Sequence, residues 1–151
     1  KNSYYDMQFC PAYWDWIDQQ FAAGELASID MVYQELSAGN DDLAAWVKLR
    51  RPQFLPETDD QTQIVFADVS NHVSNLPDKK IGEAQFFLGG ADPWLIAKAA
   101  VLGATVVTSE QKVPDVSKKI KIPNVCDHFN VPYINSFELL RTLNAQFVLG
   151  P

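Results

Sequence analysis

Three carboxylates, Glu35, Asp92 and Glu110, stand where chemistry can gather although the chain keeps them far apart. Asp92 poses the sharpest question, within Gly89-Gly90-Ala91-Asp92-Pro93-Trp94-Leu95-Ile96-Ala97. An Asp ahead of good helix formers accepts hydrogen bonds from the first free backbone N–H groups, and proline is favoured at the first helical position. Asp92-Pro93 therefore reads as N-cap plus first helical residue. A carboxylate is equally a hard oxygen ligand for a divalent cation. On local grounds alone the cap is the better reading. Glu110 follows Ser109, just after Ala104-Thr105-Val106-Val107-Thr108, a β-branched run that predicts a buried strand. In open α/β sheets, sites collect beyond the carboxyl ends of the strands, so Glu110 lies where chemistry is expected. The helix opened by Asp92 directly precedes that strand, and the two acids can face one pocket. Glu35 sits on a helix that immediately follows a weaker strand candidate, Leu26 to Ile29. By itself it reads as a charge on a surface helix.

The elements that must position these acids are mostly helices with short strands between them. Trp14, Ile17 and Phe21 recur at helical spacing over 12–23 and stop at Gly24; Met31, Val32, Tyr33 and Leu36 mark a helix over 30–38 that stops at Gly39. Asp41 can cap a third helix, to about Arg51. Thr58 with Gln61 forms a capping-box signature for a long helix whose apolar face is Ile64, Val65, Val69, Val73 and Leu76, ended by Pro77. A short helix follows over 80–87, then the Asp92 helix, with Gly103 as its C-cap. Val131 to Ile134 is a second clear strand candidate, Pro123 opens a helix over 124–129, and Ser136 caps the last helix, through Leu139, Leu140 and Leu143. Strands separated by helices predict an α/β domain with a short parallel sheet.

Composition narrows the classes. A chain of 151 residues with 47% hydrophobic content builds one domain with a real core, and no Pro/Gly/Ser linker divides it. The apolar stretch nearest to membrane length, Leu95 to Val107, is broken by Lys98, so no membrane partner is expected, and cytoplasmic residence is. Two cysteines, Cys10 and Cys126, and two histidines, His72 and His128, do not make a zinc pattern. Both cysteines are expected as buried free thiols and His72 as a structural residue. The net charge of −7 argues against indiscriminate binding to polyanions. Lys112, Lys118, Lys119 and Lys121 nevertheless crowd into one segment, while Lys48, Arg50 and Arg51 form a second basic group. Such groups are most often solvated surface.

The series Ile29-Asp30-Met31-Val32-Tyr33-Gln34-Glu35-Leu36, Ala91 to Ala97, and Thr105-Val106-Val107-Thr108-Ser109-Glu110 resembles PIN-domain ribonucleases. It is similar in particular to a bacterial branch of that superfamily related to VapC-like toxins of toxin–antitoxin pairs. Lys1-Asn2-Ser3-Tyr4-Tyr5 and Lys119 to Cys126 also look like that branch, so the resemblance covers nearly the whole chain. It implies a three-layer α/β/α fold over 1–151 and a metal-dependent endoribonuclease with Mg²⁺ or Mn²⁺ in an acidic pocket. Glu35, Asp92 and Glu110 match three of the pattern's four acidic positions, as metal ligands and catalytic groups. The pattern often has Asp at the last of these, and Asp115 is the fallback for Glu110. The implied product ends are 5′-phosphate and 3′-hydroxyl. RNA is the implied substrate, with Lys118, Lys119 and Lys121 guiding its backbone, and the implied partners are a protein antitoxin and a second copy of the chain. A PIN-like module that binds without catalysis is the alternative.

One departure matters. PIN domains open with an apolar strand ending in Asp, and no such strand precedes Asp6. The expectation is an amino-terminal truncation, with a sheet that lacks its first strand and recruits a substitute.

Overall fold

The computed structural model describes residues 5–148. Lys1 to Tyr4, part of the stretch that carries the resemblance, lie outside the described residues. Helix α1 (Pro11–Ala23) has proline in its first turn, where a missing N–H costs nothing, and ends at Gly24 with φ +76°, a left-handed conformation suited to glycine. Strand β1 (Ser28–Ile29) runs without a loop into α2 (Asp30–Ser37). Asp41 caps α3 (Asp42–Lys48) by accepting from the Ala44 N–H at 2.9 Å. A single 3-10 turn (Arg51–Gln53) leads to β2 (Phe54–Leu55). Then come α4 (Asp60–Ser74), α5 (Glu83–Leu88), α6 (Asp92–Leu102), β3 (Val106–Val107), α7 (Ile122–His128), β4 (Tyr133–Ile134) and α8 (Ser136–Thr142). The chain is thus mixed α/β with short parallel strands.

Pairing is parallel in both sheets. Ser28 and Ile29 face Phe54 and Leu55, and Val106 and Val107 face Tyr133 and Ile134, so the described residues form two two-stranded sheets rather than one. Helix α6 packs against both β1 and β3. Between the sheets runs a groove of about 830 Å³, lined by both of those strands and by residues of α1, α6 and α8. The Val106 N–H donates to the Pro132 carbonyl, just before β4, and the Thr108 N–H to the Ile134 carbonyl of β4. Strand alternation then turns the Val107 backbone toward the groove.

The main core joins Val69 and Val73 of α4, Phe87, Ile96 of α6, Val106 of β3, and Val125 and Cys126 of α7. A second buried group, Ile29, Ala44, Val47 and Phe54, belongs to β1, α3 and β2. No helix among the described residues is long and apolar enough to cross a membrane. Burial pushes the Cys126 thiol up to about 12. Cys10 is free as well but only half-buried, contrary to the expectation of two buried thiols.

Three helix starts differ from the local reading. The cap of α4 is Asp59, not Thr58: it accepts from the Thr62 N–H at 3.0 Å and pairs with the Lys98 ammonium at 2.6 Å. Both bonds hold the Asp59 carboxyl far below its ordinary range, the Lys98 contact most. The cap of α8 is Asn135, in a reciprocal box with Glu138, so Ser136 is already helical. Asp92 is itself the first residue of α6, and its side chain makes no capping bond. Within α4, Ile64 is 58% exposed, because the helix packs through Val69 and Val73 and turns Ile64 outward.

Candidate functional site

Glu35, Asp92 and Glu110 line one cavity of about 540 Å³. Each arrives by a different local route. Because β1 runs straight into α2, Glu35 lies within two helical turns of a strand end. Its Oε1 accepts the Ala91 N–H at 2.9 Å, reaching 56 residues along the chain to the start of α6. Ala91 is 2% exposed, so this amide has little access to water as a substitute acceptor. The long-range contact supplies an acceptor at the helix start that Asp92 does not. Asp92 itself is half-buried at the amino end of α6, where the helix dipole favours negative charge.

Glu110 follows β3 and is doubly engaged. Its Oε1 accepts from the Lys121 ammonium at 2.5 Å and its Oε2 from the Ile122 N–H, at the start of α7, at 2.8 Å. The Asp92 carboxyl is raised above the ordinary Asp value, first by burial, then by the charges of Glu110 and Glu35, against a smaller opposing effect of Lys121. Asp92 therefore senses both other acids and the ammonium electrostatically. Hard oxygens at one cavity are the donor set a divalent cation prefers, and the mutual repulsion felt at Asp92 is what a cation relieves. Among the described residues, however, no group of three His, Cys, Asp or Glu stands close enough to hold a metal as arranged. Glu35 and Glu110 are partly committed to backbone amides, and Lys121 already neutralises Glu110.

The predicted lysine trio separates. Lys121 lines the cavity; Lys118 and Lys119 are exposed and do not. Asp115 is exposed and lies outside the lining, and Asp6 accepts the Gln8 N–H in a turn. Asp30 is held by Arg51 in a two-pronged ion pair rather than facing the cavity. Sequence reasoning missed Glu83, whose Oε1 accepts the Ile120 N–H at 3.1 Å on the cavity wall, and it missed Phe86, an exposed ring beside the acids. Neither carries a local motif; only the fold brings α5 to the cavity. His72, expected to be structural, stacks on His128 with ring centroids 3.6 Å apart, away from this site.

The family model described as Domain of unknown function (DUF4411) matches residues 1–147. Comparison with curated proteins and with solved structures finds no match.

Proposed function

The chain belongs to the DUF4411 family, and we propose that it is a PIN-like, Mg²⁺- or Mn²⁺-dependent endoribonuclease acting as the cytoplasmic toxin of a toxin–antitoxin pair. One observation carries the reading: Glu35, Asp92 and Glu110, 57 and 18 positions apart along the chain, line a single cavity. Mg²⁺ or Mn²⁺, when bound by these three acids, would supply Lewis-acid polarisation of a phosphodiester and charge neutralisation at its oxygens. The remaining work falls to the chain. Glu35 fixes the amino end of α6 and thereby places Asp92. Lys121 can leave Glu110 for a phosphate oxygen of the RNA, its ammonium acting as a point charge. An antitoxin that inserts a basic side chain would exploit the same acidic wall that Lys121 already neutralises.

The ion pair between Lys121 and Glu110 also supports the second reading, a PIN-like module that binds without cleaving. One assay separates the two. Purified protein incubated with single-stranded RNA and Mn²⁺ or Mg²⁺ should cleave it, EDTA should stop cleavage, and Asp92→Asn should slow it by about 10²–10³-fold, the usual scale for loss of one key electrostatic group. Cleavage that survives EDTA, or an Asp92→Asn protein as active as the parent, would refute the metal-dependent nuclease; RNA binding without any cleavage would select the module.

A further inference from the structure

Helix α5 is six residues long, and its two central aromatic residues behave in opposite ways. Phe87 is buried in the main core at 6% exposure, whereas Phe86, next to it and about 100° around the helix, is 84% exposed. An isolated exposed apolar residue needs no explanation. Phe86 is not isolated in that sense, because it lines the same cavity as Glu35, Asp92, Glu110 and Lys121. It also stands beside cationic chain. The Lys80 N–H donates to the Lys118 carbonyl at 3.0 Å, and the Glu83 carboxylate takes the Ile120 N–H, so the amino end of α5 is bonded to the 118–120 segment. Lys80, Lys118 and Lys119 are all exposed, and among the described residues none has an acidic partner within ion-pair distance.

An open aromatic ring on a helix bonded to a segment that carries unpaired ammonium groups matches the composition of a single-stranded nucleic-acid site, where bases stack on rings and the backbone runs past cations. A duplex cannot use such a ring without disrupting its own stacking, since its base faces are already covered. Resting on the ribonuclease reading above, we propose that Phe86 is a stacking platform for one unpaired base, with the adjoining backbone led past Lys80, Lys118 and Lys119. The site then selects single-stranded over paired RNA. A protein partner would meet the same lysines but gain no specific benefit from a flat ring over a branched apolar side chain.

The test is binding without chemistry. A fluorescein-labelled oligoadenylate of about ten nucleotides, inside the usual 4–16-nucleotide footprint, is titrated by anisotropy in EDTA, alongside a duplex of the same length. Phe86→Ala should weaken single-strand binding about 5–150-fold, Phe86→Trp should keep it, and duplex binding should be the same for all three proteins. Exposure of Phe86 makes the substitutions harmless to folding, which melting curves check. Parental affinity in Phe86→Ala, full rescue by Phe86→Leu in place of an aromatic, or equal losses on duplex and single strand would each overturn the proposal. If Phe86→Ala alone loses binding while neither parent nor Asp92→Asn shows any cleavage, the stacking site stands and the nuclease reading falls.

Discussion

Glu35 carries two separable duties, and substitution can pull them apart. Its carboxylate accepts an amide hydrogen bond from Ala91, whose residue is 2% exposed. Hydrogen bonds to charged groups contribute about 1.5–3 kcal/mol, and a buried N–H left unpaired costs about 1–3 kcal/mol, two views of the same loss rather than a sum. Relief counts on the other side. Glu35 is one of the charges that raise the Asp92 carboxyl, so its removal lowers repulsion in the cavity. Glu35→Ala should therefore destabilise by about 1–2 kcal/mol, the lower part of that range. At about 2–4 °C per kcal/mol for a chain of this size, the melting temperature should drop about 2–8 °C. Glu35→Gln keeps an oxygen in place for the Ala91 amide while removing the same charge. Its stability should stay within about 0.5 kcal/mol of the parent. Urea unfolding followed by tryptophan fluorescence and by circular dichroism measures both variants, with equal slopes required for a fair comparison. An alanine variant as stable as the parent would show that the long-range amide bond does not hold the start of α6. A glutamine variant that falls as far as alanine would show that charge, not the acceptor, is what matters there.

Two further outcomes follow from titration. Because the folded state raises the Asp92 carboxyl above its unfolded value, the folded state binds more protons there, and this residue's contribution to stability falls as pH rises through that interval. Asp92→Asn should accordingly be more stable than the parent at neutral pH, with the gap closing as pH drops below the raised value; urea midpoints across pH 4–8, about the range of soluble carboxylate and imidazole titration, would expose a constant gap if the idea is wrong. For His72 the direction is reversed: burial, then the neighbouring His128, lower its folded value below the ordinary 6.5. The unfolded chain then takes up protons first on acidification, so stability should decline as pH falls below about 6.5, and His72→Phe should flatten that decline. Equal acid sensitivity in the variant would remove the histidine pair as its source.

Much of the fold is legible because its signals are local. Gly24 and Gly103 end α1 and α6 in left-handed conformations, Pro93 and Pro123 open helices within their first turns, and the β-branched run at Ala104–Thr108 contains β3. What stayed hidden depends on distant partners. Strand β2 is two residues between Pro52 and Pro56, too short for alternation to show. The α4 cap sits one residue later than the Thr58 signature, at Asp59, which accepts from the Thr62 N–H and also pairs with Lys98, 39 residues away. The local reading of Asp92 as the α6 cap fails for want of a distant partner: the acceptor at the start of α6 comes from Glu35, and no window around Asp92 contains it.

That displacement changes what Asp92 is for. A helix-start carboxylate with no capping bond, half-buried and pushed toward protonation by two other acids, is an arrangement folding alone does not favour. Strained polar groups of this kind concentrate where function needs them. Helix α6 extends the consequence across the domain. Its first turn carries Asp92 at the cavity, Lys98 ties its middle to the α4 cap, and Leu95, Ala99 and Leu102 line the groove between the two sheets. Cavity and groove therefore share one rigid element.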